Sequence, residues 1–502
     1  MSAMVLSVIH RIYPINASKL DRICDVVQVR RHKSMDEFAG EAKGLLEAAL
    51  QSEQLLVISR ALQEEYREKL ESSDISMLPS YQYTLPTGRE SGDFLALDVG
   101  GSTFRVALVR LGGKGDSEDT MQLRRMRSFV IDKVVRELKG QAFFDWMAER
   151  IEKVFMEYNH MKGTHNARLK MGLAWSFPIE QTSCRSGKLL SMGKGFQASH
   201  GIEGQDIGEL VIRSCKARGL NVSMCAIVND GAATLLAQAY RDPSTRMSLI
   251  LGTGMNAAAF LPVSALGSGK YGDRPASWHA AAQRVLVNTE LSMFGKRVWP
   301  VTRWDEELNT QHMLPDFQPL EYLVTGRYLG EIVRLILVEA IRTAGLFNGK
   351  MPYHLAEPYA LDTRILAAFQ SDESKALSGA RLAFTKAHAL PSPPRQHELE
   401  FIRNISQLVS RRAANYLATA LHALWTVRTA SEGLQPGEAS RVTIACNGAV
   451  VERYPDFRHN CQQRLDELCE ISGASKGAVT LEMAPESSVF GAAVAVCCTE
   501  GS

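Results

Sequence analysis

Two short glycine-rich segments, one in each half of the chain, constrain the fold more than any other feature. Residues 94–109 read FLALDVGGSTFRVALV, and residues 247–260 read MSLILGTGMNAAAF. In both segments apolar residues resume directly after the glycines, which predicts a strand, a tight turn and a second strand. This hairpin pattern excludes the strand–loop–helix geometry of P-loops and of dinucleotide-binding folds.

The turns of these two hairpins have the composition of phosphate-binding loops. Glycine lets the main chain approach a ligand closely, and exposed N–H groups in such a turn attract anions. Asp98 directly precedes the first pair of glycines. The two hairpins therefore predict a duplicated fold in which a phosphate group is held between two lobes.

Strand-like and helix-like segments alternate along the rest of the chain, which indicates an α/β protein. We expect strands at 94–97, 105–111, 170–175, 224–228, 247–251, 257–261 and 441–445, and long helices at 142–158, 328–344 and 398–429. The segment Ser34-Met-Asp-Glu37 resembles a capping box and opens a helical region that runs to about residue 70. The proline-rich segment 386–397 is predicted to be a surface loop.

Composition and charge exclude several classes of protein. The 57 basic residues nearly balance the 55 acidic ones and are well mixed along the 502-residue chain, which argues against a nucleic-acid surface. Nine cysteines without a CxxC pair indicate reduced thiols rather than a zinc site or a disulfide framework. No apolar stretch reaches the roughly 20 residues of a membrane helix. We therefore expect a cytoplasmic protein, and the basic run at 30–33 leaves entry into the nucleus open.

Seven motifs, in order between about residues 77 and 496, resemble those of the hexokinase family within the actin-like ATPase superfamily. They are LDVGGSTFRV at 97–106, WSFP at 175–178 with KGF at 194–196, IVND at 227–230, GTGMN at 252–256, NTE at 288–290 with FQPLE at 317–321, ERYPDF at 452–457 and GAA at 491–493. By these motifs the chain is identified as a member of that family.

The resemblance implies a two-lobed α/β fold of the actin-like ATPase (ribonuclease H-like) type with a central cleft. Residues 1–74 would form an N-terminal segment and helices that pack on the large lobe. Residues 75–230 would form the small lobe, and residues 231–488 the large lobe. Residues 489–502 would form a C-terminal helix that returns to the small lobe.

The resemblance also implies an ATP- and Mg²⁺-dependent transfer of the γ-phosphoryl group to the C6 hydroxyl of a hexose. Asp230 would be the general base, with Lys194 as a second catalytic residue, and Asp98 would hold Mg²⁺ through water. The implied sugar-binding residues are Ser176, Lys194, Asn229, Asp230, Asn256, Glu290 and Glu321. The implied nucleotide-binding residues are Asp98, Gly100, Gly101, Ser102, Thr103, Arg105, Gly252, Thr253, Gly254, Thr363 and Ser488.

From the residues alone, Asp230 also suits a helix N-cap, because it follows an apolar strand and precedes a helical segment. That role and the role of a base are compatible. The only partners that the sequence implies are a small-molecule sugar and MgATP. We expect neither direct nucleic-acid binding nor a membrane span.

The chain departs from the family pattern at several positions. The sugar loop has Met192-Gly193 where Trp-Thr is usual, and Leu291-Ser292 replaces Trp-Gly after Glu290. On the nucleotide side, Thr103 replaces an amide side chain. The segment 447–449 reads Asn-Gly-Ala in place of Asp-Gly-Ser, and 486–489 reads Glu-Ser-Ser-Val in place of Asp-Gly-Ser-Gly.

Two interpretations of these departures compete. In the first, smaller side chains open space for an acetamido group, so the substrate is N-acetyl-D-glucosamine with weak glucose activity. The same motif set is similar to fungal N-acetylglucosamine kinases. In the second, the nucleotide site has decayed, and the protein is a catalytically weak or inactive hexokinase-like regulator of carbon-starvation responses and secreted protease production. Retention of Asp98, Lys194 and Asp230 favours an active kinase.

Overall fold

A computed structural model describes residues 33–113, 120–190, 192 and 195–500, and its framework consists of two sheets. The strands are β1 (Leu78–Pro79), β2 (Ser91–Val99), β3 (Thr103–Gly112), β4 (Met121–Val130), β5 (Leu169–Trp175), β6 (Ile179–Ser183), β7 (Ser186–Leu189), β8 (Val222–Val228), β9 (Thr245–Leu251), β10 (Met255–Pro262), β11 (Arg284–Asn288), β12 (Val442–Asn447) and β13 (Val479–Met483). Strands β6 and β7 form a separate small hairpin.

The helices lie between and around these strands. They are α1 (Met35–Glu47), α2 (Ser52–Ser72), α3 (Lys133–Arg136), α4 (Gln141–Lys162), α5 (Ile207–Ala217), α6 (Asp230–Arg241), α7 (Ala276–Ala281), α8 (Arg303–Gln311), α9 (Glu321–Val324), α10 (Gly326–Ala344), α11 (Thr363–Ser371), α12 (Ser378–Ala387), α13 (Gln396–Ser431), α14 (Ala449–Arg453), α15 (Phe457–Ile471) and α16 (Ser487–Glu500).

The two sheets have the same topology. The five-stranded sheet has the order β4-β3-β2-β5-β8, and the six-stranded sheet has the order β1-β11-β10-β9-β12-β13. In each sheet an antiparallel meander of three strands is followed by two strands that pair in parallel. Apart from the short edge strand β1, the second sheet therefore repeats the first, in agreement with the predicted duplication.

Both predicted glycine hairpins are present. Strand β2 pairs antiparallel with β3, with Asp98 opposite Arg105, and β9 pairs antiparallel with β10. All seven predicted strands and the three predicted long helices are observed, with ends displaced by a few residues. The predicted loop at 386–397 is shorter, because α12 extends to Ala387 and α13 begins at Gln396.

The helices that precede the first sheet pack on the layer around α13. Helix α1 begins with the predicted capping box, in which the Ser34 hydroxyl accepts from the Glu37 N–H and the Glu37 carboxylate accepts from the Ser34 N–H. The Phe38 ring on this helix lies 6.4 Å from the Trp304 ring and 6.1 Å from the Phe401 ring, between centroids. These aromatic contacts join α1 to α8 and α13 in one apolar core.

A separate apolar cluster fills the space between the two sheets and is built largely from α6 and α16. Helix α6 packs on β9 and β10, whereas α16 packs on β2 and β5. The two helices cross at Gly491, where an added Cβ would lie 1.9 Å from the carbonyl oxygen of Ala233. Only glycine allows this approach, so Gly491 determines how closely the helices of the two sheets pack.

Two further predictions concern membrane-spanning helices and the state of the cysteines. No helix among the described residues is long and apolar enough to cross a membrane. Eight of the nine cysteines lie in the described ranges, and each of these eight has a free thiol.

Replacing Gly491 by alanine is expected to destabilise the protein by about 2–3 kcal/mol, because the new methyl group overlaps the α6 main chain. The matched control is Gly40→Ala in α1, where an added Cβ meets open space. That substitution is expected to stabilise by about 0.5–1 kcal/mol, since alanine is the better helix former. Urea denaturation of both variants checks the prediction, and equal stability of the two would contradict the close crossing.

Candidate active site

Three predicted polar residues meet where neighbouring strands of the five-stranded sheet end. Asp98 lies near the end of β2, Ser176 directly follows β5, and Asp230 begins α6 just after β8. The Ser176 N–H donates to the Val99 carbonyl at 3.2 Å, which fixes the chain beside the first hairpin. The Ser176 hydroxyl then donates to Asp230 Oδ2 at 3.4 Å. The carboxyl edge of this sheet thus gathers the residues, as it does in other α/β folds with ligand sites there.

The first turn of α6 is capped by Asn229 rather than by Asp230. Asn229 Oδ1 accepts from the Ala232 N–H at 2.7 Å, so the prediction that Asp230 is the N-cap is wrong by one residue. Asp230 Oδ1 instead accepts from the Gly231 N–H at 2.8 Å. The Nδ2 of Asn229 is buried and has no acceptor among the described residues, so this amide can donate to a ligand hydroxyl.

The pKa of the Asp98 carboxyl group is strongly perturbed. It is 8% exposed, and burial raises its pKa to about 7. Arg105 opposes this shift from 3.5 Å, whereas the charges of Asp230 and Glu486 add to it. The same Arg105 guanidinium lies 3.6 Å from Glu486, immediately before α16. Arg105 therefore lies within ion-pair distance of both acidic residues.

The second hairpin is braced by main-chain contacts and by Glu321. The Gly252 N–H donates to the Gly254 carbonyl at 2.9 Å, and the Gly326 N–H donates to the Gly252 carbonyl at 2.8 Å. Glu321 Oε2 accepts from the Met255 N–H at 3.0 Å. A Cβ on Gly254 would lie 2.9 Å from that carboxylate, so glycine is needed for the turn and Glu321 to be neighbours.

Asn288 links two of the predicted sugar-binding residues, and sequence reasoning did not assign it a role. Its Oδ1 accepts from Asn256 Nδ2 at 2.8 Å, and its own Nδ2 donates to Glu290 Oε1 at 2.8 Å. Glu290 adopts the left-handed conformation with φ of 52°. The only available signal was its position two residues before Glu290, at the end of a short strand, which does not reveal a cross-strand amide contact.

The first turn of α6 rests on the second sheet, which joins the two groups of residues. The Ser248 hydroxyl donates to the Gly231 carbonyl at 2.7 Å. A Cβ on Gly231 would lie 3.5 Å from the Ala258 side chain, so β10 passes directly beneath this turn. Asp230 is therefore held close to the strand that carries Asn256.

The two hairpin turns offer donors for phosphate oxygens. Four of their main-chain N–H groups have no acceptor among the described residues: those of Gly101, Ser102, Thr253 and Gly254. The neighbouring Gly100 N–H is already used, because it donates to the Thr103 carbonyl at 3.0 Å. Adjacent unpaired N–H groups form the anion-binding concavity that a triphosphate needs, so the turns fit ATP.

The acidic residues fit a cation that keeps most of its water. Within the described ranges, no cluster of three or more His, Cys, Asp or Glu side chains is arranged to hold a metal ion. Asp98 is a buried carboxylate at the mouth of the first turn, and Mg²⁺ commonly binds through one carboxylate together with phosphate oxygens and water. This donor set fits the predicted role of Asp98.

Thr363 and Ser488 differ in how they could reach a nucleotide. The Thr363 hydroxyl donates to the Gly326 carbonyl at 2.6 Å and accepts from the Gly330 N–H at 3.0 Å. It therefore supports the second hairpin through Gly326, and its hydrogen is not available to a ligand. Ser488 is half-buried in the first turn of α16, close to Glu486.

Asn447, one of the departures from the family pattern, has a structural role. Its Nδ2 donates to the Ala484 carbonyl and to the Ser487 hydroxyl, both at 2.9 Å. The Ser487 hydroxyl also lies 2.8 Å from that of Thr234 on α6. A carboxylate could not donate to Ala484, so the amide and the serine form one compatible pair.

The residues of the sugar loop are only partly described. Lys194 and Gly193 lie outside the described residues. Met192 is 2% exposed and belongs to the apolar core of the first sheet, and Leu291 is fully buried in the core of the second. Met192 therefore packs with the core of the first sheet, next to the part of the sugar loop that lies outside the described residues.

The titration of Asp98 gives a prediction about stability. Since its pKa is about 7 in the folded protein and about 4 in the unfolded chain, the folded state holds an extra proton between these values. The free energy of unfolding is therefore expected to fall as pH rises through this window. Urea denaturation in metal-free buffer at several pH values measures it.

Two variants make this test specific. Asp98→Asn removes the titrating group, so its stability should fall less across the window than that of the unchanged protein. Glu486→Gln removes a charge that raises the pKa of Asp98. The free energy of unfolding of this variant should therefore stop falling at a lower pH than that of the unchanged protein. Identical pH profiles for Asp98→Asn and the unchanged protein would contradict the assignment.

Comparisons with known proteins agree with this geometry. Two family models, both described as hexokinase, match residues 43–240 and 246–498. Hexokinase-1 of Oryza sativa is 31% identical over 429 residues, which cover 84% of this chain and 82% of that protein. Hexokinase-2 of Candida albicans is 29% identical over 430 residues, which cover 85% and 84%.

Solved structures show the same architecture. The hexokinase from Schistosoma mansoni complexed with glucose matches with a TM-score of 0.73 and 26% identity, over 92% of this chain and 100% of that one. A second hexokinase crystal structure matches with a TM-score of 0.74 and 26% identity, over 92% and 99%. The fold is thus the two-lobed α/β fold of hexokinases, and the chain belongs to the hexokinase family of sugar kinases.

Proposed function

We propose that the protein transfers the γ-phosphoryl group of ATP to the C6 hydroxyl of a hexose, with Asp230 as the general base. The observation that carries this proposal is the position of the Asp230 carboxylate. It is oriented by Ser176 and by the Gly231 N–H, and its charge acts on Asp98 beside the first phosphate turn. A base at this place can serve a hydroxyl that faces a bound triphosphate.

The proposed reaction needs little covalent chemistry from the protein. Asp230 accepts the proton of the C6 hydroxyl as that oxygen forms a bond to the γ-phosphorus, and the bond to the β,γ-bridging oxygen breaks to release ADP. The unpaired N–H groups of the two turns orient the phosphates and stabilise the developing charge. Bound Mg²⁺ would supply the neutralising charge, with Asp98 and Arg105 beside it. Asn229, Asn256, Glu290 and Glu321 would bind the sugar hydroxyls.

Removal of the proposed base is expected to abolish most turnover while sugar binding remains measurable. Asp230→Asn should lower kcat by about a hundredfold or more, as positioned bases commonly contribute 10²–10⁴. Asp230→Ala should do the same. The control Asp273→Asn changes an exposed aspartate and should leave kcat unchanged. Retained turnover in a folded Asp230→Ala protein would remove Asp230 from this role.

For the sugar, we propose N-acetyl-D-glucosamine, with weak activity on glucose. Gly193 and Ser292 replace the family's Thr and Gly beside the predicted sugar-binding residues, and the motif set resembles fungal N-acetylglucosamine kinases. A lost threonine hydroxyl removes a partner for a sugar hydroxyl, which weakens selection for glucose. Glucose is the second candidate, because the matched relatives are hexokinases and the Schistosoma structure contains glucose.

A catalytically weak or inactive regulator is the remaining alternative, and the substituted nucleotide side favours it. The hydrogen bonds of Asn447 with Ser487 weaken this alternative, since the two substitutions support each other. The unpaired N–H groups of both turns also support a protein that still binds phosphate.

A coupled ADP-release assay with MgATP should distinguish these candidates. We expect turnover with N-acetylglucosamine to exceed that with glucose, mannose or no sugar. Gly193→Thr, alone and with Met192→Trp, should raise the ratio of kcat/KM for glucose to that for N-acetylglucosamine about tenfold. An unchanged ratio would contradict the proposed basis of specificity. Absence of turnover with every sugar in a folded preparation would favour the regulator.

A further inference from the structure

An arginine-lined pocket lies at the end of the six-stranded sheet that is opposite to the candidate active site. Its walls come from the start of β9, the end of β10, the start of β11, the end of α13 and the segment before β12, and its volume is about 400 Å³. The glycine turn at 252–254 joins the other ends of β9 and β10. Since a strand advances about 3.3 Å per residue, the pocket lies roughly 20 Å from that turn.

The pocket has an excess of positive charge. Four arginines line it: Arg246, Arg284, Arg428 and Arg441. The acidic groups that face them are Glu432, which lines the pocket, and Asp242 beside it. Four positive charges against two negative ones leave a local excess of two, whereas the whole chain of 502 residues carries only +2.

The two carboxylates are already engaged within the protein. Glu432 Oε1 accepts from Arg428 Nη2 at 2.8 Å and from Arg284 Nε at 3.3 Å. The Asp242 carboxylate accepts from the hydroxyls of Ser244 and Thr443 at 2.6–2.8 Å. Neither acid therefore forms a direct ion pair with the other two arginines of the pocket.

Those two arginines use neutral partners. Arg246 Nη1 donates to the carbonyls of Pro243 and Thr245 at 2.6 and 2.8 Å. Arg441 is exposed and donates to the Thr480 hydroxyl at 3.4 Å. Their charges stay uncompensated by direct contact and are available to an anion.

Arg428 is the buried element of the site. It is 5% exposed, and its Nε has no acceptor among the described residues. Burial is the largest cause that lowers the pKa of Arg428. The nearby charges of Arg246 and Arg284 lower this pKa further, whereas the charge of Glu432 raises it. Glu432 supplies one counter-charge to Arg428 but shares it with Arg284. The buried Nε of Arg428 still lacks an acceptor, which is unfavourable, and an oxygen of a bound anion would satisfy it.

The pocket lining also includes apolar side chains. They are those of Phe260, Leu434, Ala439 and Val442. A volume of about 400 Å³ lies in the range of small-molecule sites and greatly exceeds that of one phosphate ion. The lining thus combines cations for an anionic head with apolar side chains for a carbon-containing part.

We propose that this pocket binds a small phosphate ester, with its phosphate group at the arginines and its carbon part against Phe260. Arginine matches phosphate oxygens with paired N–H donors, which makes it the side chain of choice for such a head. The site is separate from the sugar and ATP positions and does not depend on the proposed catalytic function.

Isothermal titration calorimetry with phenyl phosphate and with inorganic phosphate tests this proposal without any turnover. The full chain should bind phenyl phosphate at least tenfold more tightly than inorganic phosphate, because only the ester uses the apolar side chains of the lining. The double variant Arg284→Gln with Arg441→Gln should weaken phenyl phosphate binding at least tenfold. Both arginines are exposed, so the fold should survive.

Two controls separate this pocket from the hairpin turns. Arg342→Gln removes an exposed arginine from α10 and should leave phenyl phosphate binding unchanged. The calorimetric affinity for MgATP should be the same in the double variant as in the unchanged protein. The proposal would be overturned if phenyl phosphate did not bind, if the double variant bound it equally well, or if it bound no better than inorganic phosphate.

Discussion

The close crossing of α6 and α16 determines the geometry of the cleft, because each helix belongs to a different sheet and each begins at the cleft. Gly491 lets α16 approach the main chain of α6 at Ala233, and the Cβ of any other residue would force the helices apart. Asp230 is the first residue of α6, and Glu486 immediately precedes α16. A change in the crossing would therefore move the proposed base relative to Asp98 and its arginine. The packing between the two sheets therefore also determines the positions of the proposed catalytic groups at their edges.

The sequence allowed prediction of those features that depend on local pattern. The glycine hairpins, the capping box at Ser34 and the long helices all follow from residue spacing, and all are present. Strand β4 was missed because it is an edge strand with several exposed arginines and little apolar alternation. Hydrogen bonds across strands, such as that between Asn256 and Asn288, depend on register, which residue spacing does not reveal. The burial of Met192 depends on tertiary packing in the same way.

The departures from the family pattern are easier to interpret as sets than one by one. Asn447 alone suggests loss of an acidic group, and Ser487 alone suggests loss of a glycine. Together they form a hydrogen-bonded unit that also reaches Thr234 on α6. A decaying site accumulates substitutions without regard to each other, whereas these two satisfy each other's donors and acceptors. The structure of the nucleotide side is thus compatible with continued selection on that side.

The two anion sites proposed at the two ends of the six-stranded sheet would use different donors, and the difference has a physical reason. At the cleft, the unpaired groups that face the proposed triphosphate are neutral main-chain N–H donors, and Mg²⁺ would arrive and leave with the nucleotide. Charge that departs with the product does not hold the product back. At the other end, the positive charge is part of the protein itself and stays in place. Fixed arginines can therefore bind an anion that arrives without a metal ion.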